Sequence, residues 1–300
     1  MTRRLTVRVP ASTANLGSGF DCVGMAFDWY DEVTLEVLDR PGLEVIVTGE
    51  GAAGVPLDES HLVVSSLLDG LAQFGAERPG GMRLTCRNTI PHSRGLGSSA
   101  AAIVAGLTLA WGVARPGAEV DRAAITRLAT AAEGHPDNAG AAVWGGAILA
   151  WAREGKVSLV QLPLPADFEA VAFVPGFECR TDEARRVLPQ TVARTDAVAQ
   201  AIAAAALPLA LTVRPDLLLD ATADLLHQQY RADLMRPAYE LMQRLRAAGV
   251  PAAISGAGPT VIAVGPPGQL AGLDGVPAEG FALRRMRPSA GVELISSLPI

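Results

Sequence analysis

Lysine is almost missing from this chain: of its 300 residues only Lys156 is one, set in the turn-like segment REGKVS. Phosphate loops that end in Gly-Lys-Ser/Thr, and enzymes that form a Schiff base, need a lysine at a defined place, so both are excluded. Cysteine is also scarce. Cys22, Cys86 and Cys179 are odd in number and far apart, which gives neither a disulfide framework nor a zinc knuckle and fits a reducing cytoplasm. An excess of positive charge is absent, the formal net charge being −6, and no block of like charges occurs; a nucleic-acid partner is therefore not expected. The two longest apolar stretches, Ser99 to Ala114 and Ala197 to Val213, fall short of a clean span of about 20 residues, the second being interrupted by Gln200 and Pro208. The opening MTRRLTVRVP alternates like a strand and has no apolar h-region, so neither a secretory signal nor a membrane partner is expected.

What the chain does have is 49% hydrophobic residues over a length that exceeds one compact core, which predicts a globular protein of two domains. LTVRVPAS, DEVTLEVLD and GLEVIVTGEG alternate as half-buried strands. TANLGSGFDCVGMAFDW, between the first two, is too glycine-rich for a strand and predicts a loop with a short helical turn. SHLVVSSLLDGLAQFG predicts a helix with a capping serine and Gly75 as its stop, and GMRLTCRNTIP a strand. Helices follow from Ser98 to about Ala114 and through DRAAITRLATAAEG, ended by Gly134 and Pro136. A small-residue helix and strand come next, in AGAAVWGGAILAW and VSLVQLPLP. Proline-punctuated LPLPADFEAVAFVPG is the expected crossing between domains, placed at 1–160 and 161–300. Beyond it come a strand in EAVAFVPG, helices near 195–210, 216–227 and 236–248, and strands in AAISGAGPTVIAVG and FALRRMRP. Strands and helices mix without a Rossmann order, so the fold class is α+β.

The segment PHSRGLGSSAAAIVAG sets Gly95, Gly97, Ser98 and Ser99 before an apolar helix. A helix start has unpaired N–H groups and the positive end of the dipole, glycines let a phosphate approach closely, and serine hydroxyls bond phosphate oxygens or Mg²⁺. Taken alone, the loop reads equally well as an ordinary serine-capped helix. PASTANLGSGFDCVG offers Asn15 and Asp21, and EGHPDNAG offers Glu133, His135, Asp137 and Asn138. Each of these, taken alone, reads as turn chemistry.

Together, PASTANLGSGFD, GLGSSAA, EGHPDN, TDEARRVLP and SGAGPT, in this order over nearly the whole chain, resemble the motifs of the GHMP small-molecule kinases and, within them, the homoserine kinase family. The resemblance implies a two-domain fold, an N-terminal half like ribosomal protein S5 domain 2 and a C-terminal ferredoxin-like α/β sandwich. It also implies ATP-dependent O-phosphorylation of L-homoserine in threonine biosynthesis, and a homodimer. By the same resemblance, ATP lies over Pro91, His92, Ser93, Arg94, Gly95, Leu96, Gly97, Ser98, Ser99, Ala100 and Ala101. Ser99 and Glu133 match the Mg²⁺ positions, as a hard cation with oxygen ligands requires. His61 stands where the family commonly has an asparagine near the adenine.

On the substrate side Asn15, Asp21, His135, Asp137 and Asn138 match residues around the amino and hydroxyl ends, with Thr181 close by. Arg185 and Arg231 match two arginines that clamp the carboxylate; Arg186 competes with Arg185, and the spacing to Leu-Pro favours Arg185. Asn138 occupies a position where sister kinases have a catalytic aspartate, so positioning and charge stabilisation are expected to carry the rate, with Asp21 or Asp137 left as candidate bases and Glu133 as a catalytic acidic group. The SGAGPT glycines are expected to turn tightly against the phosphate loop. His92 and His227 show no partner pattern of their own and read as surface or helix residues. Another GHMP kinase, or a non-catalytic ligand-binding relative, remains the alternative.

Overall fold

A computed structural model describes residues 4–296. The first unit runs β1 (Arg4–Asn15), β2 (Gly19–Val37), β3 (Gly42–Gly49), α1 (Leu62–Gln73), β4 (Gly81–Asn88), α2 (Ser98–Ala114), α3 (Arg122–Glu133), α4 (Asp137–Trp144), β5 (Ala147–Arg153) and β6 (Lys156–Leu162). The second runs β7 (Glu169–Pro175), α5 (Thr181–Arg186), α6 (Arg194–Thr212), α7 (Leu218–Ala221), α8 (Gln228–Arg231), α9 (Arg236–Ala247), β8 (Ala252–Ile254), β9 (Val261–Gly265) and β10 (Phe281–Met286). The last strand, β11 (Glu293–Ser296), returns to the first unit and pairs antiparallel with β1. The first sheet therefore extends two residues past position 160 and takes its edge strand from the far end of the described chain.

In that sheet the order is β11-β1-β2-β4-β3, with the β5–β6 hairpin attached to β2. Glu154 and Gly155 turn the hairpin with both φ angles positive, the geometry that matches strand twist, and Lys156 is the first residue of β6. The second sheet has the order β10-β7-β9-β8, all antiparallel, which is the strand order of a ferredoxin-like unit.

Alternation explains how the two units join. Ala170 and Ala172 of β7, with Ile262 and Val264 of β9, point into one core shared with β1, β2, α1 and α2. Val171, Phe173, Val261 and Ala263 point the other way, onto Ala238, Leu241 and Leu245 of α9. A sheet buried on both faces needs apolar residues at every position, hence the unbroken runs AVAFV and VIAV.

Three expectations are corrected. The segment at residues 19–30 is strand, not loop; burial on both sides along most of β2 removes the alternation that would have marked it. Helix α1 is capped by His61, whose Nδ1 accepts the Val63 N–H at 3.3 Å, rather than by the serine before it. The helix expected over 216–227 breaks after Ala221, because Asp224 folds its carboxylate back onto the N–H groups of Leu226, His227 and Gln228. Helix α6 is long and apolar enough to cross a membrane by length and composition. Its Gln200 is nonetheless buried in the protein, donating to the Ser18 carbonyl at 3.0 Å and accepting the Leu225 N–H at 2.9 Å.

Candidate active site

The loop between β4 and α2 is fixed at both ends. At its start, the carboxylate of Asp31 accepts the N–H groups of Thr89 (2.6 Å) and Ile90 (2.9 Å), and burial raises its pKa above the ordinary carboxylate value. At its end Gly97 takes a left-handed φ of 71° and serves as N-cap of α2. Gly97 has no side chain with which to cap that helix, so its first turn leaves N–H groups for a ligand. Across from the loop lies the SGAGPT turn: Ser255 donates to the Gly95 carbonyl at 2.6 Å, and the Thr260 N–H reaches the Arg94 carbonyl at 3.2 Å. A Cβ on Gly95 would stand 2.1 Å from the Ser255 carbonyl oxygen, which is why glycine is required there. The expected packing of this turn on the loop is thus observed.

Two cavities meet at Ser93, Ser98 and Ser99. One, of about 250 Å³, is lined by Val33, Val55, His61, Val63, His92 and Ala101, a largely apolar slot of a kind that suits a flat heteroaromatic ring. Burial, with His92 nearby, lowers the His61 pKa and keeps its ring neutral. The other cavity, of about 140 Å³, has many charged and polar side chains in its wall and gathers every substrate-side residue expected from the sequence: Asn15, Asp21, His135, Asp137, Asn138, Thr181, Arg185 and Arg231. Glu133 joins them, and its carboxylate accepts the Ser99 hydroxyl at 2.6 Å, so the two candidate Mg²⁺ ligands stand side by side.

Within this cavity the side chains are already organised. Asp21 and Arg185 form an ion pair at 2.8 Å between residues 164 apart in sequence. Arg186 pairs with Asp182 instead and does not line this cavity. Asn15 has its amide committed, accepting the Asp21 N–H at 2.9 Å and donating to the Gly256 carbonyl at 2.8 Å. It therefore positions Asp21 and binds the units together while it lines the wall. The oxygen of the Asn138 side chain accepts the Ser12 hydroxyl at 2.9 Å, which leaves its NH₂ as the group able to serve a ligand.

His135 Nδ1 lies 2.8 Å from Asp137 Oδ1. Burial alone would lower its pKa, but the hydrogen bond and charge of Asp137 outweigh it and the net shift is upward from 6.5. A raised folded pKa favours folding most fully below the unfolded value of about 6.5, and that contribution fades as pH rises through the folded value. An NMR titration should accordingly place His135 above 6.5 and show it falling in Asp137→Asn. A value at or below 6.5 in the parent protein would contradict this account.

Three loop residues do not face either cavity. Leu96 is buried in the core, Pro91 lines a groove on the opposite side, and Arg94 turns away to donate to the carbonyls of Pro175, Gly176 and His92 at 3.0 Å each. Arg94 ties the loop to the end of β7, since one guanidinium can satisfy several carbonyls at once. His227 is likewise corrected: it is fully buried, not a surface residue. Ser12, Phe20 and Ser255, which lie within the motifs but are not among the expected site residues, and Asp31, which lies outside them, also shape the site.

Residues 61–146 match the family model for the GHMP kinases N terminal domain, and 210–272 that for GHMP kinases C terminal. A homoserine kinase of Cutibacterium acnes is 50% identical over 293 residues, which cover 97% of this chain and 99% of that protein. The chain belongs to the homoserine kinase family. A second member, from Mycolicibacterium vanbaalenii, is 44% identical and covers 100% of this chain and 99% of its own. The crystal structure of homoserine kinase from Cytophaga hutchinsonii superposes with a TM-score of 0.83 at 27% identity over 97% of both chains. The two-unit α+β architecture is thus the GHMP kinase fold expected from the motifs, and the homoserine kinase family membership extends over the full length of both units.

Proposed function

We propose that the chain transfers the γ-phosphoryl group of ATP to the hydroxyl of L-homoserine, giving O-phospho-L-homoserine for threonine biosynthesis. The observation that carries this is the Asp21–Arg185 pair at the wall of the polar cavity, with Arg231 beside it. A zwitterion can take over that pair, its ammonium on Asp21 and its carboxylate on Arg185 and Arg231, without leaving either charge unmatched. A neutral alcohol or a sugar offers no such exchange.

Adenine occupies the apolar slot, and the triphosphate crosses Ser93, Ser98 and Ser99 to the start of α2. The residues fit a hard cation: Ser99 and Glu133 present adjacent oxygens at the junction of the two cavities and would hold Mg²⁺, which neutralises phosphate charge when bound. The homoserine oxygen forms a bond to Pγ as the bond from Pγ to the bridging oxygen breaks, ADP leaves, and the hydroxyl proton passes to a phosphoryl oxygen. Asn138, fixed by Ser12, donates from its NH₂ and does not abstract a proton. Positioning and charge stabilisation carry a loose transfer of this kind.

A coupled ADP-release assay with ATP, Mg²⁺ and L-homoserine, run against L-serine, L-threonine and mevalonate, should show turnover dependent on L-homoserine; none would overturn the proposal. Asn138→Asp should slow transfer about 10-fold or more, a carboxylate now facing the phosphoryl oxygens, while Asp21→Asn should raise the KM for homoserine by a similar factor. Faster transfer in Asn138→Asp with no effect of Asp21→Asn would refute the positional account.

A further inference from the structure

Arg231 makes its contacts from a buried site, 2% exposed. Its Nε donates to the Ala184 carbonyl at 2.9 Å, and Nη1 is shared between His227 Nδ1 at 3.2 Å and the Gly256 carbonyl at 3.4 Å. Among the described residues Nη2 has no protein acceptor, and the guanidinium lines the polar cavity. A guanidinium can only donate, so His227 Nδ1 must accept. The ring proton then sits on Nε2, which donates to the Gly17 carbonyl at 2.9 Å. The imidazole is held in that plane by Phe20, stacked at 4.6 Å between centroids and 18° between planes, and Phe20 also lies 5.5 Å beneath the Arg231 guanidinium. Burial lowers the His227 pKa, in keeping with a neutral ring that accepts at Nδ1. Asp224, fully buried beside it, spends its carboxylate on the backbone N–H groups that begin α8.

We infer that His227 is a positioning residue for substrate binding: locked as the Nε2–H tautomer between the β1–β2 turn and Arg231, it aims the free edge of that guanidinium at the substrate carboxylate. The inference rests on the proposed function, in which Arg231 binds that carboxylate. A histidine serves here because its two nitrogens do opposite jobs in one rigid plane: Nε2 reads the first unit through Gly17, and Nδ1 holds an arginine of the second.

Two isosteres separate these jobs. Gln places an amide nitrogen where Nε2 stands and keeps the bond to Gly17, whereas Asn places an amide oxygen where Nδ1 stands and keeps the acceptor for Arg231. His227→Gln should therefore raise the KM for L-homoserine about 10-fold, in line with loss of a hydrogen bond to a charged group, with the KM for ATP unchanged; His227→Asn should raise it by less than about 3-fold. Arg231→Lys, measured alongside, should raise the homoserine KM as well. If Arg231→Lys has no effect, the carboxylate role of Arg231 fails, and the proposed function with it in that respect. If Arg231→Lys raises KM but His227→Gln does not, or does so no more than His227→Asn, the positioning role is overturned while the function stands. On the parent protein, ¹⁵N-histidine spectra should show His227 protonated at Nε2; a ring protonated at Nδ1 overturns the inference even if the variants do not fold.

Discussion

Glu133→Gln should lower kcat by about 10²–10³-fold, the size of effect seen when one group that stabilises transition-state charge is removed. Gln keeps the length of the side chain and can still meet the Ser99 hydroxyl, whose bond to Glu133 is 2.6 Å. What it loses is the negative charge that a hard cation selects. Stability should hardly change, because the carboxylate is at the surface of the cavity and contributes nothing to the core. The loss should also be graded with metal: the variant should need a higher Mg²⁺ concentration to reach half of its own maximal rate. A steady-state titration of Mg²⁺ at saturating ATP reads both quantities. A variant with parent-like kcat and an unshifted Mg²⁺ requirement would remove Glu133 from the metal site.

Gly97→Ala should disable the enzyme by a different route. The residue has φ of 71°, and a Cβ there would stand 2.1 Å from Ser12 Oγ and 3.2 Å from Asn138 Oδ1. The left-handed backbone alone costs an alanine about 1–2 kcal/mol. The overlap with Ser12 then forces the helix N-terminus away from the residue that fixes Asn138. A displacement of about 1 Å in a reacting geometry is worth about 10²-fold in rate, so kcat should fall by at least that factor, with a lowered thermal midpoint. Gly134→Ala is the control: its φ is 88°, but a Cβ would meet nothing within 4 Å. It should show the backbone strain in its melting curve and keep parent-like kcat. Equal kcat in the two variants would mean that the Ser12–Asn138 contact is irrelevant to transfer.

The difference between what the residues disclosed and what they hid follows from the range of each interaction. The start of α2 was legible because its signal is local: glycine, serine and an apolar period of 3.6 fall within one short window, and α2 begins at Ser98 and ends at Ala114 as that window predicts. The first part of β2, residues 19–30, was hidden because its period-2 pattern is erased by burial on both sides. Arg94 flanks GLGSSAA and Arg185 lies within TDEARRVLP, yet one turns to the carbonyls of Pro175 and Gly176 and the other to Asp21. Nothing in the neighbouring residues fixes that choice; it depends on which partner the second unit brings within reach. For the same reason His227 offered no sign of burial, since its ring is covered by Gly17 and Phe20 of the other unit. Membership in the homoserine kinase family was legible from the order of five motifs, which carry information that no single loop does.

The return of β11 to the first sheet makes the order of synthesis matter. Residues 5–8 of β1 find their outer partners only in residues 293–296, so during translation that edge stays bare until nearly 290 further residues have been added. Local hairpins such as β5–β6 can form early, but the first sheet is completed last, after the second unit has been made. The chain thereby acquires its finished first sheet only when the second unit, with Arg185 and Arg231, already exists.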